Sequence, residues 1–147
     1  MIFDLQSLFS NAQAITATAI STNVIDQQLT GIPYGNVERM KRDLGKGAAV
    51  PLLIQVVESF NTLTSLTITI ETSDDPAFGS GNVVLWTSVA VPLANLVAGY
   101  RVPNSLLPEG LLAGSKRYLA VRYTVTGTAP TLGKVTAGIV LGVQTNE

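Results

Sequence analysis

The sequence predicts an all-β protein, an antiparallel β-sandwich of jelly-roll type with an N-terminal arm. Three observations carry this reading. Apolar and hydroxyl residues alternate at strand period from Val50 to Val143. The alternation is clearest in Leu66-Thr67-Ile68-Thr69-Ile70-Glu71, where Leu66, Ile68 and Ile70 point one way and Thr67, Thr69 and Glu71 the other, as in a half-buried strand. Turn-forming clusters punctuate the alternation at even spacing, which is the pattern of a sandwich rather than of βαβ units.

In chain order, residues 2–9 carry Ile2, Phe3, Leu5, Leu8 and Phe9, an apolar hook assigned to an arm over residues 1–11. Ala12 to Asn23 alternates weakly and reads as a possible strand. Residues 30–47 form an irregular charged loop opening with Gly31-Ile32-Pro33-Tyr34-Gly35. Within it, Asn36 is placed to cap a short helix in which Val37, Met40 and Leu44 share a face and Gly45 is the terminator.

Strands are predicted at Val50–Glu58, Ser65–Thr72, Asn82–Val89, Leu96–Val102, Tyr118–Thr126 and Lys134–Val143. Ser73-Asp74-Asp75-Pro76, Gly79-Ser80-Gly81, Pro108-Glu109-Gly110 and Gly127-Thr128-Ala129-Pro130 supply the turns between them. With one or two N-terminal strands the count suits two four-stranded sheets, hence the jelly roll. No internal repeat or linker divides the 147 residues, so one domain is expected.

Composition narrows the function. The chain has no histidine and no cysteine, which removes the commonest general base and two common metal ligands. The net charge of -1 argues against a protein that lives on phosphate backbones, so no nucleic-acid partner is expected. The longest apolar run, Ala48 to Val57, is broken by Pro51 and Gln55 and is far short of the ~20 residues of a membrane span. Met1 to Phe9 has an acid at position 4 and no basic start, unlike a secretory signal.

Charged residues make up 13% of the chain, about half the usual ~25%. Spread over the surface of a 15.5 kDa monomer, that is roughly one charge per 350–400 Å². A free monomer is usually more densely charged, so part of the surface is expected to be covered, by a homodimer or homotrimer partner in the first instance.

Each cluster that hints at chemistry has a plainer account. Asp74-Asp75 is the one adjacent acid pair, but a calcium loop needs acids at alternating positions with a further carboxylate downstream, and neighbours in a turn point apart. An Asx-type turn is the better reading. Glu38, Arg39, Lys41, Arg42, Asp43 and Lys46 mix signs and lack an aromatic platform after Tyr34, so they read as a solvated or docking face. Lys116 and Lys134 have no S-x-x-K or elbow motif beside them to make a Ser–Lys pair. Arg117 and Arg122 flank Tyr118 and Tyr123 as cross-strand packing would, Trp86 reads as core, and the glycines have no phosphate-loop spacing. No enzyme, cofactor or metal is expected.

Several segments together resemble a known family. They are Leu8-Phe9-Ser10-Asn11-Ala12-Gln13-Ala14, Ser21-Thr22-Asn23-Val24-Ile25-Asp26, Arg42-Asp43-Leu44-Gly45-Lys46-Gly47, Glu71-Thr72-Ser73-Asp74-Asp75-Pro76-Ala77-Phe78, and Lys116-Arg117-Tyr118-Leu119-Ala120-Val121-Arg122-Tyr123-Thr124-Val125, closing into Gly127-Thr128 and Gly133-Lys134-Val135-Thr136-Ala137-Gly138. In this order the chain resembles the small capsid decoration, or cement, proteins of tailed bacteriophages, the Bbp16-like family. One departure is the insertion of Gln27 to Lys41 between the Asn-Val-Ile-Asp and Arg-Asp-Leu-Gly segments.

The resemblance implies a structural virion protein, made in the bacterial host cytoplasm, that binds the outside of an icosahedral shell as a small homo-oligomer and stabilises it. Its partners would be the major capsid protein and itself, and the family brings no catalytic residues. The docking elements expected are the hook (Phe3, Leu5, Leu8, Phe9) and the charged loop (Arg39, Lys41, Arg42). The rival from another class is a carbohydrate-binding or receptor-binding module of a phage tail or fibre. Such sites display aromatic platforms, and the one Trp and four Tyr here are not clustered in a predicted loop.

Overall fold

The computed structural model describes residues 4–27, 32, 34–37, 50–103, 106–107 and 116–142. Nine strands run through them: β1 (Leu8–Ala14), β2 (Ala19–Ile20), β3 (Ile25–Asp26), β4 (Leu52–Glu58), β5 (Leu63–Ser73), β6 (Val83–Thr87), β7 (Val91–Pro92), β8 (Tyr118–Gly127) and β9 (Lys134–Ile139). Two single 3₁₀ turns, Leu5–Ser7 and Leu93–Asn95, are the only helical elements among the described residues.

The strands form two antiparallel sheets. The smaller has the order β1-β9-β4; the larger has β2-β8-β5-β6, with β3 also on β8 and β7 also on β5. The predicted sandwich is therefore observed. Among the described residues its sheets hold three and six strands; the jelly-roll expectation rested on four and four.

Alternation explains the layering. β5 and β8 pair over ten positions from Leu63↔Gly127 to Ser73↔Tyr118, and Leu66, Ile68, Ile70, Leu119, Val121 and Tyr123 all face inward and are buried. From the smaller sheet, Leu52, Ile54, Val56, Val135 and Ala137 meet them in one continuous core. Full burial of each such side chain contributes roughly 1.5–3 kcal/mol before the entropy of ordering is counted.

The first strand departs from period 2, and that matters for the arm. The β1–β9 register shifts between Leu8↔Gly138 and Ser10↔Ala137, so two steps on β1 oppose one on β9. The bulge turns both Phe9 and Ser10 inward. A second shift follows before Gln13, with Ala12 in the left-handed region at φ 46 and its N–H donating to Thr136 Oγ1 at 3.0 Å. Residues 8–11, expected in a free arm, are thus part of a sheet.

The predicted strand over Leu96–Val102 is also corrected. After the 3₁₀ turn at Leu93–Asn95 and the left-handed Gly99, the chain runs irregularly along the free edge of β4. Val56 N–H donates to Tyr100 O, Val102 N–H to Ile54 O and Leu107 N–H to Val50 O, with bridges at Gln55↔Arg101 and Pro51↔Leu106. This segment covers the β4 edge without becoming a regular strand. The predicted Lys134–Val143 strand stops at Ile139, and the short helix expected after Asn36 lies outside the described residues.

The two ends of the sandwich differ. At the upper end, short tight connections join the sheets. Asn61 spans two of these loops: its Oδ1 accepts from the N–H groups of Thr131 and Leu132 at 2.9 and 3.0 Å, and its Nδ2 donates to Thr131 Oγ1 at 2.8 Å. Gly133, at φ 132, lies so close to Phe60 that any Cβ would overlap the ring. At the lower end lie the start of β1 and β4, the end of β9, the β5–β6 turn and the chain leading into β8.

Candidate functional site

No group of three potential metal ligands exists among the described residues. The candidate site is the surface that the expected contacts point to. Its residues follow from asking which of the expected contacts the fold leaves available.

Of the hook, Leu5 is available. It opens the 3₁₀ turn Leu5–Ser7, whose start is capped by Asp4: the carboxylate Oδ1 accepts from Gln6 N–H at 3.1 Å. Leu5 remains 76% exposed. Leu8 and Phe9 are corrections. Phe9 is 0% exposed within its own chain's core and Leu8 only 5%, so neither offers area to a partner. The Phe9 carbonyl is also engaged, accepting from Asn23 N–H at 2.9 Å. Phe3, Arg39, Lys41 and Arg42 lie outside the described residues.

Leu5 is not alone at the lower end. Leu141, just past β9, is fully exposed, and Leu106, bridged to Pro51 at the start of β4, is exposed as well. The chain leaves β3 and re-enters β4 at this same end, and its described residues Ile32, Tyr34 and Val37 are all exposed. Other large apolar side chains are exposed elsewhere, among them Val57, Val97 and Leu132 near the opposite end and Val83, Val84 and Val89 on and beyond β6.

Among the described residues, four charged side chains on β8, β9 and just before β8 are held in ion pairs. Arg117 clamps Asp26 with two bonds, Nε to Oδ1 at 3.0 Å and Nη2 to Oδ2 at 2.8 Å, and its guanidinium sits 4.9 Å from the Tyr118 ring centre. Arg122 Nε lies 2.9 Å from both oxygens of the buried Glu71, which also accepts from Thr69 Oγ1. Lys134 pairs with Glu58 at 2.6 Å and Lys116 with Asp74 at 3.4 Å. Each of these four cations is matched by a carboxylate.

The acid pair behaves as a turn. Asp75 Oδ1 accepts from Ala77 N–H and Oδ2 from Gly79 N–H, both at 2.9 Å. Those two backbone donors, Ala77 first, hold its carboxyl below the usual carboxylate range. Asp74 points instead to Lys116, so the two acids share neither a proton nor a ligand position.

Two features were missed from the sequence. Tyr123 is fully buried, with its hydroxyl 2.8 Å from Ser10 Oγ; Ser10 donates on to Gln13 Oε1 at 2.7 Å, and Gln13 Nε2 donates to Ile20 O at 2.8 Å. Burial pushes the phenol well above its ordinary value, the Ser10 bond opposing it only in part. Tyr123 in the strand pattern signalled its inward face, but nothing local announced that a bulge would turn Ser10 toward it. The second is the edge formed by β6, whose exposure the alternation of Val83 to Thr87 did not reveal.

No curated protein matches the chain. The sequence model of one protein family, Bbp16, matches residues 9–139, which takes in every strand from Phe9 of β1 to the end of β9. The chain belongs to the Bbp16 family.

Proposed function

We propose that this protein is a structural virion component, a decoration or cement protein that binds the outer surface of an assembled phage capsid and stabilises it. The observation that carries the reading is membership of the Bbp16 family over residues 9–139, together with the resemblance of this chain's segments to phage capsid decoration proteins. Exposed apolar side chains on the described surface, Leu5, Leu106 and Leu141 among them, support docking to a partner.

The mechanism is linkage. A protein that binds the assembled shell and not its dissociated subunits stabilises the shell by mass action, by about 2.7 kcal/mol per site at a free concentration a hundredfold above Kd. A small homo-oligomer bridging several subunits of the major capsid protein engages multivalently, so modest single contacts add to tight retention. The place of action is the outer capsid surface of a virion assembled in the host cytoplasm.

The test is co-sedimentation with purified capsids that lack this protein, together with capsid melting. The expected result is saturable pelleting with the shell and a higher shell dissociation temperature. Protein that stays in the supernatant at concentrations well above those found in infected cells, with capsid melting unchanged, would reject the function.

A further inference from the structure

Exposed apolar side chains occur at both ends of the sandwich, Leu5 and Leu141 at the lower and Val97 and Leu132 at the upper, so apolar exposure does not choose between them. Charge does. The lower end carries Asp4, Asp26, Asp74, Asp75, Lys116 and Arg117. The four upper connections, 15–18, 59–62, 93–99 and 128–133, contain no charged residue. Glu58 and Lys134, next to two of them, are paired with each other at 2.6 Å.

The charge-free end is also built in advance. Its loops are tied to one another beyond the Asn61 contacts: Phe60 N–H donates to Leu96 O at 3.0 Å, Ala98 N–H to Ser59 Oγ at 2.9 Å, and Ile15 N–H to Gly133 O at 3.0 Å. Thr62 has a left-handed φ of 63, uncommon for a β-branched residue, and its hydroxyl lies 2.8 Å from Asn61 O and 3.2 Å from Ala129 O. Loops already fixed in this way lose little conformational entropy when a partner covers them.

We infer that the upper end is the face that seats on the outer surface of the assembled shell, with the charged lower end turned to solvent. The centre of a protein interface is depleted in charge, because each charge taken out of water costs its hydration unless it is paired. The end turned away from a shell meets water, where charged side chains keep that hydration. An anionic surface, of lipid or of nucleic acid, would call for cations that these loops lack, so the occupant is a protein face presenting uncharged groups. This rests on the proposed function and names the face it uses, which is neither the hook nor the charged loop expected from the sequence.

The experiment is co-sedimentation of the full chain with capsids that lack it, for wild type, Val97→Lys and Leu132→Lys, with Leu5→Lys and Leu141→Lys as lower-end controls. Each upper-end variant is expected to lose about tenfold or more in shell affinity, since it carries an unpaired charge into the contact, with unchanged far-UV spectrum, melting temperature and solution mass. The controls are expected within about threefold of wild type. Wild-type affinity is expected to fall by less than about threefold between about 0.1 and 1 M salt, over which the screening length shrinks from ~10 to ~3 Å. Wild type that stays in the supernatant rejects the proposed function itself. Wild type that pellets while the upper-end variants bind equally well, or while the lower-end variants are the ones released, overturns the placement alone. So does binding that falls about tenfold over that salt range. Upper-end variants that lose binding together with a changed solution mass mark this end as a contact between copies and overturn the placement as well.

Discussion

Replacing Phe9 by alanine separates a core residue from a docking residue more sharply than deleting the hook. Phe9 is 0% exposed and packs in the same cluster as Ile15, Leu52 and Tyr123, so truncation leaves a cavity between the sheets. Phe→Ala at such a site costs about 3–5 kcal/mol, the transfer of the ring plus the void left behind. That is a large share of the 5–15 kcal/mol a domain usually has. For a chain of this length it lowers the melting temperature by about 6–20 °C. Leu5→Ala, at 76% exposure, is expected to change stability by no more than about 0.5 kcal/mol. Urea unfolding followed by Trp86 fluorescence and far-UV circular dichroism measures both variants. A Phe9→Ala protein that unfolds within about 0.5 kcal/mol of wild type while losing its oligomer or its capsid binding would refute the reasoning and restore Phe9 to the contact surface.

Three further outcomes are expected. Tyr123→Phe is expected to cost about 1–3 kcal/mol because Ser10 Oγ loses a buried donor, and Ser10→Ala with Tyr123→Phe should cost less than the two added; strict additivity in a double-mutant cycle would show the pair to be uncoupled. Gly133→Ala should destabilise by about 1–3 kcal/mol through its positive φ and the Phe60 ring. Gly142→Ala, with open space around it, should be neutral in the same melting assay. The Asp75 carboxyl is held below its ordinary 3.8, so its contribution is present above that value and is lost as pH falls through the lower folded-state one. Wild-type melting temperature should therefore drop more steeply than that of Asp75→Asn below pH 3.8, and parallel curves would contradict the turn's role.

The large sheet was legible because its strands obey a local rule. Leu66, Ile68 and Ile70 declare the inner face of β5 by period alone, and Tyr118–Thr126 differs from the observed β8 by a single residue. What the alternation could not carry was pairing at long range. Leu8 and Phe9 looked like loose apolar residues because the strand that claims them, β9, lies at the other end of the chain. The bulge then hides β1 twice, since Phe9 and Ser10 both turn inward and no period-2 pattern survives. Leu96–Val102 failed for a related reason: Leu96 and Val102 face the core, but a 3₁₀ turn and Gly99 prevent a regular ladder. The acid pair was read correctly because an Asx turn is made by residues two to four apart.

The place of β9 has a consequence for how the protein is made. It is the middle strand of the smaller sheet, with β1 and β4 paired to either side and not to each other. Neither neighbour has a sheet to join until residues 134–139 have left the ribosome. Until then Leu52, Ile54 and Val56 have only the irregular segment from Gly99 onward along one edge of their strand and no sheet partner on the other. Loop closure of this length must be completed before its contacts stabilise anything, which places folding among the slower, non-local topologies. The apolar faces of β1 and β4 thus stay incompletely covered until β9 is made, and β9 acts as the clasp that joins the two.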